Sequence, residues 1–448
     1  MTRAGTASRS DGLGVKAAYA SGNFGKGLIW SSLDYFLLFF LTDLWGLGPV
    51  QAGMVVMVAL IWDGLCGPVV GYVIDRTGVP LGRCLVVAAP LCALAFWFAL
   101  REPGWRGDGL AAYALAVGLM LRTAYTLCDV PHNTLLCTLS RAGNDAAVLS
   151  GLRLIFSAAA GLTVALAAGQ VFAALDPIQQ GARISQFAVL AGFGFVAALW
   201  LSAWATRSRP PAAVPFVTHA PQPTWRILFH NRRLALLLVI TFIQIACVSV
   251  FTRSIAYFAD GVVGDEAWAA CAMMVVTVAQ GLSMPLWIAL SYRVGRRRLL
   301  WIAYSLLIVA CLAFLGTAQH ATLRLPLTAL IGAATAGCGF TLWAMLPDAI
   351  DYGAQKGGPR MEALTTAIFV MVLKCASGVS APLLALPLAW AGYGKATDLA
   401  EISSVIVTGM CLIPTTGAAL CALLLLRWRP QPGASAGSLA SAEGKDHD

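Results

Sequence analysis

Twelve apolar runs of membrane-crossing length constrain this chain more than any other feature of its sequence. A helix needs about 20 mainly apolar residues to cross the ~30 Å hydrocarbon layer of a bilayer. Because 59% of the 448 residues are hydrophobic and only 11% are charged, little sequence is left for a soluble domain. We predict an all-α membrane protein with twelve transmembrane helices, at roughly 20–45, 50–75, 83–100, 110–137, 149–175, 184–206, 233–259, 266–290, 299–318, 325–350, 363–390 and 402–426.

Basic residues gather at alternate connections between these runs. The odd-numbered connections hold only Arg101, Arg106, Arg183, Arg324 and Lys395, whereas the even-numbered ones and the tails hold most of the rest. This positive-inside bias predicts both termini in the cytoplasm and a multi-pass location in the cell inner membrane. The net charge of +9 is thereby explained by topology, and we expect no nucleic-acid partner. No apolar signal-peptide core precedes the first run.

A proline-rich, basic stretch divides the chain into two halves. We expect a cytoplasmic tail at 1–19, an N-terminal six-helix bundle at 20–206, a cytoplasmic linker at 207–232, a C-terminal six-helix bundle at 233–427 and a tail at 428–448. Similar short patterns recur in both halves, such as the acidic helix ends at Asp43 and Asp260. Repetition of a six-helix unit is typical of carriers that bind solute at the midplane.

Several ionisable residues lie inside the apolar runs. A charge at the centre of a span costs at least about 2.5–3.5 kcal/mol, so such groups usually border a cavity and serve transport. At 100° per residue, polar and aromatic residues form one face on the first helix and another on the fourth. These faces contain Asn23, Gly27, Trp30 and Asp34, with Lys26 at the margin, and Arg122, Tyr125, Thr126, Asp129 and Asn133; Asp63, Arg153, Arg253 and Lys374 lie in other runs.

Aromatic residues accompany these charges. Interhelical ion pairs that only hold the helices together would explain the charges but not Trp30, Tyr125 and Trp343. An aromatic face that stacks on a ligand, with charged groups bonding its rim, suits a sugar or an organic anion. Among the ionisable residues inside the apolar runs, basic residues outnumber acidic ones, which favours an anionic solute.

Ordered motifs along the chain match the pattern of one known family. They are Gly22 to Lys26, Trp62-Asp63, Gly71, Asp75, Gly82, Arg83, Tyr125-Thr126, Asp129, Pro131, Trp343 to Met345, Asp348, Asp351 to Gly353, Arg360 and Lys374. In these motifs the chain resembles the melibiose permease-like glycoside-pentoside-hexuronide:cation symporters of the major facilitator superfamily. The resemblance implies a major facilitator fold of two pseudo-symmetric six-helix bundles and cation-coupled transport.

The resemblance also implies roles for individual residues. It places Asp63, Thr126 and Lys374 at the site of cation coupling, and Asp129 and Arg153 at the solute. Together with the polar and aromatic faces, it gives a predicted solute site of Asp129, Arg153, Tyr125, Trp343, Asp34, Arg122, Trp30 and Asn133.

The chain departs from the family pattern at both sites. Sodium-coupled members usually carry an asparagine and an aspartate where this chain has Cys66 and Gly67, so we expect H⁺ coupling in preference to Na⁺, or no coupling. Gly27 replaces a family aspartate and Arg122 a small residue. These changes favour a hexuronide, a sulfonated sugar or another glycoside over melibiose.

The remaining motifs give a predicted gate and exclude some activities. Asp75, Arg76 and Arg83 are predicted to form a cytoplasmic gate, with Arg293 and Arg296 to Arg298 as its counterpart. We interpret His132 as a packing residue in preference to a proton relay. Neither an ATP-binding motif nor a hydrolase motif is present, so we expect no enzyme, cofactor or metal site.

The predicted function is a secondary symporter for a glycoside, hexuronide or related polar or anionic solute. The alternatives are a lysolipid or amphiphile carrier of the same family and an uncoupled facilitator. The expected partners are a small-molecule solute and the lipid bilayer, and we expect a monomer.

Overall fold

All regular structure in the described part of the chain is helical. The computed structural model describes residues 12–37, 40–101, 103, 107, 109–140, 145–172, 177–207, 231–356, 361–390 and 399–428. The helices are α1 (Leu13–Ser32), α2 (Pro49–Thr77), α3 (Leu81–Ala99), α4 (Leu110–Leu139), α5 (Asp145–Phe172), α6 (Pro177–Thr206), α7 (Arg232–Phe258), α8 (Glu266–Val294), α9 (Arg296–Thr317), α10 (Ala321–Gln355), α11 (Glu362–Trp390) and α12 (Leu399–Leu425).

Length and apolarity make nearly all of these helices membrane spans. Within the described residues, eleven helices are long and apolar enough to cross a bilayer, and they correspond to α2 through α12. Helix α1 carries Lys16, Asn23 and Lys26 within its twenty residues. Its apolar part continues beyond Ser32 into π-helical turns at Leu33–Leu37 and Phe40–Leu44. The twelve-helix all-α prediction is confirmed.

The first helix begins earlier than the sequence indicated. Residues 13–19, assigned above to the N-terminal tail, form the first turns of α1. Lys16 is buried there and donates a 2.5 Å hydrogen bond to Asp145 at the start of α5. That partner offsets part of the cost of burying a lysine inside the helix bundle. Residues 1–11, 208–230 and 429–448 lie outside the described residues, so the boundaries of the linker and tails stay predictions.

Each half of the chain forms its own helical packing. In the first half α1 packs on α5 and α6, while α3 packs on α4 and α6. In the second half α7 packs on α11 and α12, while α9 packs on α10 and α12. The halves meet where α2 contacts α11 and where α5 contacts α8 and α10. Buried residues from both sides therefore face one another across this interface.

Glycine brings α2 and α11 unusually close together. A Cβ atom added at Gly71 would lie only 2.7 Å from the carbonyl oxygen of Ala363 and 2.8 Å from the Cα of Leu364. Any larger residue would push the two helices apart, because these are backbone atoms that cannot rotate away. The contact closes the interface at the end of the molecule that the sequence predicts to be cytoplasmic.

Tight hairpins join α2 to α3 and α8 to α9 at that same end. Gly78 ends α2 with a φ of 64°, and Gly295 separates α8 from α9 with a φ of 75°. Glycine adopts a positive φ without the steric cost that a Cβ atom adds. The two hairpins occupy corresponding places in the two halves, as expected of a repeated six-helix unit.

Candidate functional site

Charged side chains from five helices meet at the interface between the halves. From the first half, α2 and α4 contact α11, α5 contacts α10, and Trp30 of α1 lies near Lys374 of α11. The groups form two clusters, one around Asp63 and one around Asp129. Both aspartates are almost fully buried, with exposures of 1% and 7%.

Asp63 connects three helices. Its Oδ1 accepts a 2.8 Å hydrogen bond from the hydroxyl of Thr126 on α4. Its Oδ2 accepts a 2.7 Å hydrogen bond from Nζ of Lys374 on α11. Nη1 of Arg122, also on α4, lies 3.6 Å from the same Oδ2, which is close enough for an ion pair but too long for a hydrogen bond. The pair with Lys374 joins the two halves of the protein.

Asp129 is held by two neighbours within the first half. Its Oδ1 accepts hydrogen bonds from Nζ of Lys26 at 2.8 Å and from the side-chain amide of Asn133 at 2.9 Å. Lys26 also donates to the amide oxygen of Asn133 at 2.7 Å. Buried ion pairs stay intact only where such hydrogen bonds satisfy the remaining polar atoms.

Arg153 links the Asp129 cluster to the second half. Its Nη2 donates to the amide oxygen of Asn133 at 2.6 Å, and its Nε donates to Asn23 at 3.1 Å. The guanidinium lies 4.2 Å from the centre of the Trp343 ring on α10. A planar guanidinium stacks well on an aromatic face, so this contact holds the arginine in one orientation.

Trp30 occupies the centre of the Asp63 cluster. The guanidinium of Arg122 lies 5.0 Å from its ring centre and Nζ of Lys374 lies 5.7 Å away. The Tyr125 ring packs on it with centroids 6.0 Å apart. One tryptophan thus contacts cations supplied by both halves.

Two guanidinium nitrogens in the site have no hydrogen-bond partner among the described residues. They are Nη1 of Arg122 and Nη1 of Arg153, both buried. A buried donor without a partner costs about 1–3 kcal/mol. Such groups are suited to bind the oxygens of a carboxylate, sulfonate or hydroxyl group.

The structure brings together almost all of the predicted site residues. Asp129, Arg153, Asn133 and Trp343 lie in one cluster. The other cluster contains Asp63, Thr126, Lys374, Arg122, Trp30 and Tyr125. The side chain of Asp34 lies outside the described residues. Arg253 is not part of either cluster; it is exposed and donates to the carbonyl of Ser377 at 3.2 Å.

Lys26 and Asn23 are central to the site although neither was among the predicted solute or coupling residues. Both lie on the polar side of the first helix, where Lys26 appeared only at the margin. Lys26 precedes Trp30 by four residues, which places the two on one helix face. That spacing is a signal that could have identified the lysine. Ser157, which accepts from Asn23 at 3.1 Å, gave no signal in the sequence.

His132 packs between α1 and α4 as the sequence suggested. Its ring stacks on Tyr19 with centroids 4.8 Å apart, and its Nε2 lies 3.0 Å from the carbonyl oxygen of Tyr19. The Tyr19 hydroxyl donates in return to the His132 carbonyl at 3.1 Å. A Cβ at Gly22 would lie 2.2 Å from Nε2, so this glycine makes room for the ring.

The predicted gate residues lie at the predicted cytoplasmic end but in different contacts. Asp75 accepts the backbone N–H groups of Ala363 and Leu364 at 3.1 and 2.8 Å, which caps the first turn of α11 in the other half. Arg76 donates to the Tyr72 hydroxyl at 2.7 Å.

The remaining basic residues of the predicted gate lie apart from Asp75. Arg83 is exposed near the start of α3. Arg296 pairs with Asp348, which joins α9 to α10 within one half. Arg360 lies outside the described residues.

Metal ligands are sparse around the site. Among the described residues no group of three His, Cys, Asp or Glu side chains is placed to hold a metal ion. An apolar cavity adjoins the Asp63 cluster between the π-helical turns that follow α1 and helices α2 and α4, and Arg122 is one of its lining residues. Its lining includes Leu33, Leu37, Val55, Val117 and Leu121.

Comparison with known proteins identifies relatives along almost the whole chain. The family described as MFS/sugar transport protein matches residues 18–429. The uncharacterized symporter YnaJ of Bacillus subtilis (strain 168) is 26% identical over 410 residues, covering 88% of this chain and 87% of the relative. The glucuronide carrier protein homolog of Escherichia coli (strain K12) is 23% identical over 428 residues, covering 92% and 91%.

Solved structures share the fold. The proton:xylose symporter XylE bound to 6-bromo-6-deoxy-D-glucose superposes with a TM-score of 0.69, covering 93% of this chain and 96% of that chain at 14% identity. At this identity the likeness establishes the fold alone.

Proposed function

This chain belongs to the MFS/sugar transport protein family, and on that premise we propose that it is a cation-coupled symporter for an anionic or polar sugar-like solute. It is a multi-pass membrane transport protein rather than an enzyme. We propose H⁺ as the coupling ion in preference to Na⁺, and a hexuronide or related sugar acid as the solute. The observation that carries the proposal is the Asp63–Lys374 ion pair, which connects the two halves at the centre of the interface.

The charge of the site supports an anionic solute. Among the described groups of the two clusters, four positive side chains face two carboxylates, those of Asp63 and Asp129. The positive side chains are Lys26, Arg122, Arg153 and Lys374. A solute carboxylate would reduce this excess of positive charge. It would also accept hydrogen bonds from the Nη1 atoms of Arg122 and Arg153, which have no hydrogen-bond partner among the described residues. The relative named glucuronide carrier protein homolog fits this solute class.

Coupling would act through the contact between halves. A proton that neutralises the Asp63 carboxylate removes its attraction for Lys374, which weakens the connection between α2 and α11. A solute that binds Arg153 competes for the same interface, because the Arg153–Trp343 contact also crosses it. Proton and solute therefore both bias which contacts between the halves are formed. We propose that the protein alternates in this way between states open to opposite sides.

An uptake experiment tests this function. The purified protein is reconstituted into liposomes, and accumulation of a radiolabelled glucuronide is measured with and without an inward pH gradient. We expect accumulation only with the gradient, and loss of that dependence in Asp63→Asn. Equal uptake with and without the gradient in the wild type would contradict H⁺ coupling and favour an uncoupled facilitator. No uptake of any tested sugar acid would contradict the solute class.

A second candidate is an amphiphile carrier of the same family. The apolar lining beside Arg122 favours it, because apolar side chains such as Leu33, Leu37 and Val117 next to an arginine match an amphiphile with an anionic head group, although the cavity must widen to admit an acyl chain. The same liposome assay distinguishes the two. Competition by a lysophospholipid, without competition by a glucuronide, would support the amphiphile.

We further propose an inner-membrane location, cytoplasmic termini and a monomer. The alternation of basic connections along the sequence supports the orientation.

A further inference from the structure

Two positively charged side chains lie beside Asp63, but only one hydroxyl oxygen, that of Thr126, is bonded to it among the described side chains. Lys374 Nζ and Arg122 Nη1 lie 2.7 Å and 3.6 Å from the same carboxylate oxygen, Oδ2. The aspartate is 1% exposed and the arginine 4%. One buried carboxylate therefore faces two positive charges carried by two different helices.

A metal cation at Asp63 would need several oxygen ligands and room to bind them. Hard cations are bound by carboxylate, carbonyl and hydroxyl oxygens acting together. Cys66 and Gly67, about one helical turn beyond Asp63, supply no side-chain oxygen. The Thr126 hydroxyl is already engaged, because it lies 2.8 Å from Asp63 Oδ1 and 2.9 Å from the carbonyl oxygen of Arg122.

The guanidinium of Arg122 lies beside Oδ2 of Asp63, one of the two oxygens that this carboxylate could offer a metal ion. The same guanidinium lies 5.0 Å from the centre of the Trp30 ring. Nη1 of Arg122 has no hydrogen-bond partner among the described residues. The guanidinium is therefore held by its charge attraction to Asp63 and by stacking on Trp30. In a water-poor interior this attraction is much stronger than at a surface.

We propose that Arg122 acts as a built-in cation at Asp63, excluding Na⁺ from this carboxylate and making the carrier independent of Na⁺. The inference rests on the proposed function only in assigning coupling to Asp63. Repulsion from Arg122 and Lys374 acts on a proton as well as on Na⁺. A proton, however, needs one lone pair and no shell of oxygen ligands, so the space that the guanidinium fills matters for the metal ion alone.

Removing the charge of Arg122 tests the proposal directly. Arg122→Ala opens the space beside Oδ2, and Arg122→Gln replaces the guanidinium with a neutral side chain that offers an oxygen. The Tm of each purified full-length protein is measured while NaCl replaces choline chloride at constant ionic strength. We expect the wild-type Tm to be the same in both salts. In both variants the Tm should rise with Na⁺ concentration and reach a plateau, since an ion that binds only the native state stabilises that state by mass action.

Two further variants serve as controls. Arg253→Ala removes an exposed arginine that donates to Ser377 and makes no hydrogen bond or ion pair with Asp63 among the described residues, so it should give no response to Na⁺. The double variant Asp63→Asn/Arg122→Ala should lose the response, because the carboxylate ligand is gone.

Two results would overturn the proposal. One is a Na⁺-specific rise in the wild-type Tm, which requires no variant to fold. The other is that the Arg122→Ala and Arg122→Gln proteins fold but have the same Tm in NaCl and in choline chloride. Because the probe is Na⁺ alone, neither result depends on whether the uptake experiment finds the solute.

Discussion

Single residues in the site are matched to partners of opposite charge. Lys26 and Asp129, 5% and 7% exposed, form a hydrogen-bonded pair at 2.8 Å that Asn133 completes. Removing one member of a buried pair leaves the other charge without its partner, which costs about 3–5 kcal/mol. Removing both members costs much less. Mutation of Asp129 alone therefore changes stability as well as any contact with solute.

A double-mutant cycle separates these effects. We expect Lys26→Met and Asp129→Asn each to lower the free energy of unfolding by about 3–5 kcal/mol, because each leaves one charge buried without its partner. The combination should lower it by much less than the sum of the two single changes. The free energy of unfolding is measured by circular dichroism in detergent for the wild type, the two single variants and the double variant. Simple additivity would show that the pair is not coupled in the folded protein.

At the scale of helices, α2 and α11 bring the two halves into close contact. Gly71 permits it, and Asp75 strengthens it by capping the first turn of α11. Nearby, Cys137 of α4 lies 3.6 Å from the Thr366 hydroxyl of α11 and is 2% exposed. The thiol therefore reports whether α4 and α11 are in contact.

We predict that Gly71→Ala opens this end of the interface. The added Cβ would lie 2.7 Å from the carbonyl oxygen of Ala363, so α2 and α11 must separate. Labelling of Cys137 by a maleimide, quantified by mass spectrometry, should become faster. Gly53→Ala is a matched control on the same helix, because a Cβ there meets nothing within 4 Å. Equal labelling of Cys137 in both variants would contradict the prediction.

At the scale of the whole molecule, two six-helix halves enclose the charged site. The two clusters lie where α1, α2, α4 and α5 face α10 and α11. Because the same interface holds the ion pair, the Arg153–Trp343 contact and the helix cap, a change at one contact alters the balance of the others.

Orientation in the membrane is testable at this scale. We expect a fluorescent protein fused after residue 428 to fluoresce, because the predicted C-terminal side is cytoplasmic. Alkaline phosphatase inserted in the predicted external connection 391–398 should be active, since that enzyme needs an oxidising compartment to form its disulfides. Alkaline phosphatase activity of a fusion after residue 428 would contradict the proposed topology, because it would place this side outside the cytoplasm.

The sequence alone was enough to predict the fold and the family. Apolar runs of membrane length predict helices because unpaired backbone groups are not tolerated in hydrocarbon. Charged residues within those runs, such as Asp63 and Arg153, were predicted to line the interior because a bilayer does not tolerate them elsewhere. The ordered motifs carried the family resemblance that the comparisons confirm. The roles of the site residues stay predictions.

Only the tertiary structure decided which charges meet. Helical periodicity fixes the face on which a side chain lies, but not the helix that packs against it or the partner it reaches. Lys26 appeared marginal on its own helix, yet α4 brings Asp129 and Asn133 to it. The sequence predicts Arg122 as a solute contact, and only the packing shows that its guanidinium also lies 3.6 Å from Asp63. Such pairings depend on contacts between residues far apart in the chain, which a one-dimensional pattern does not contain.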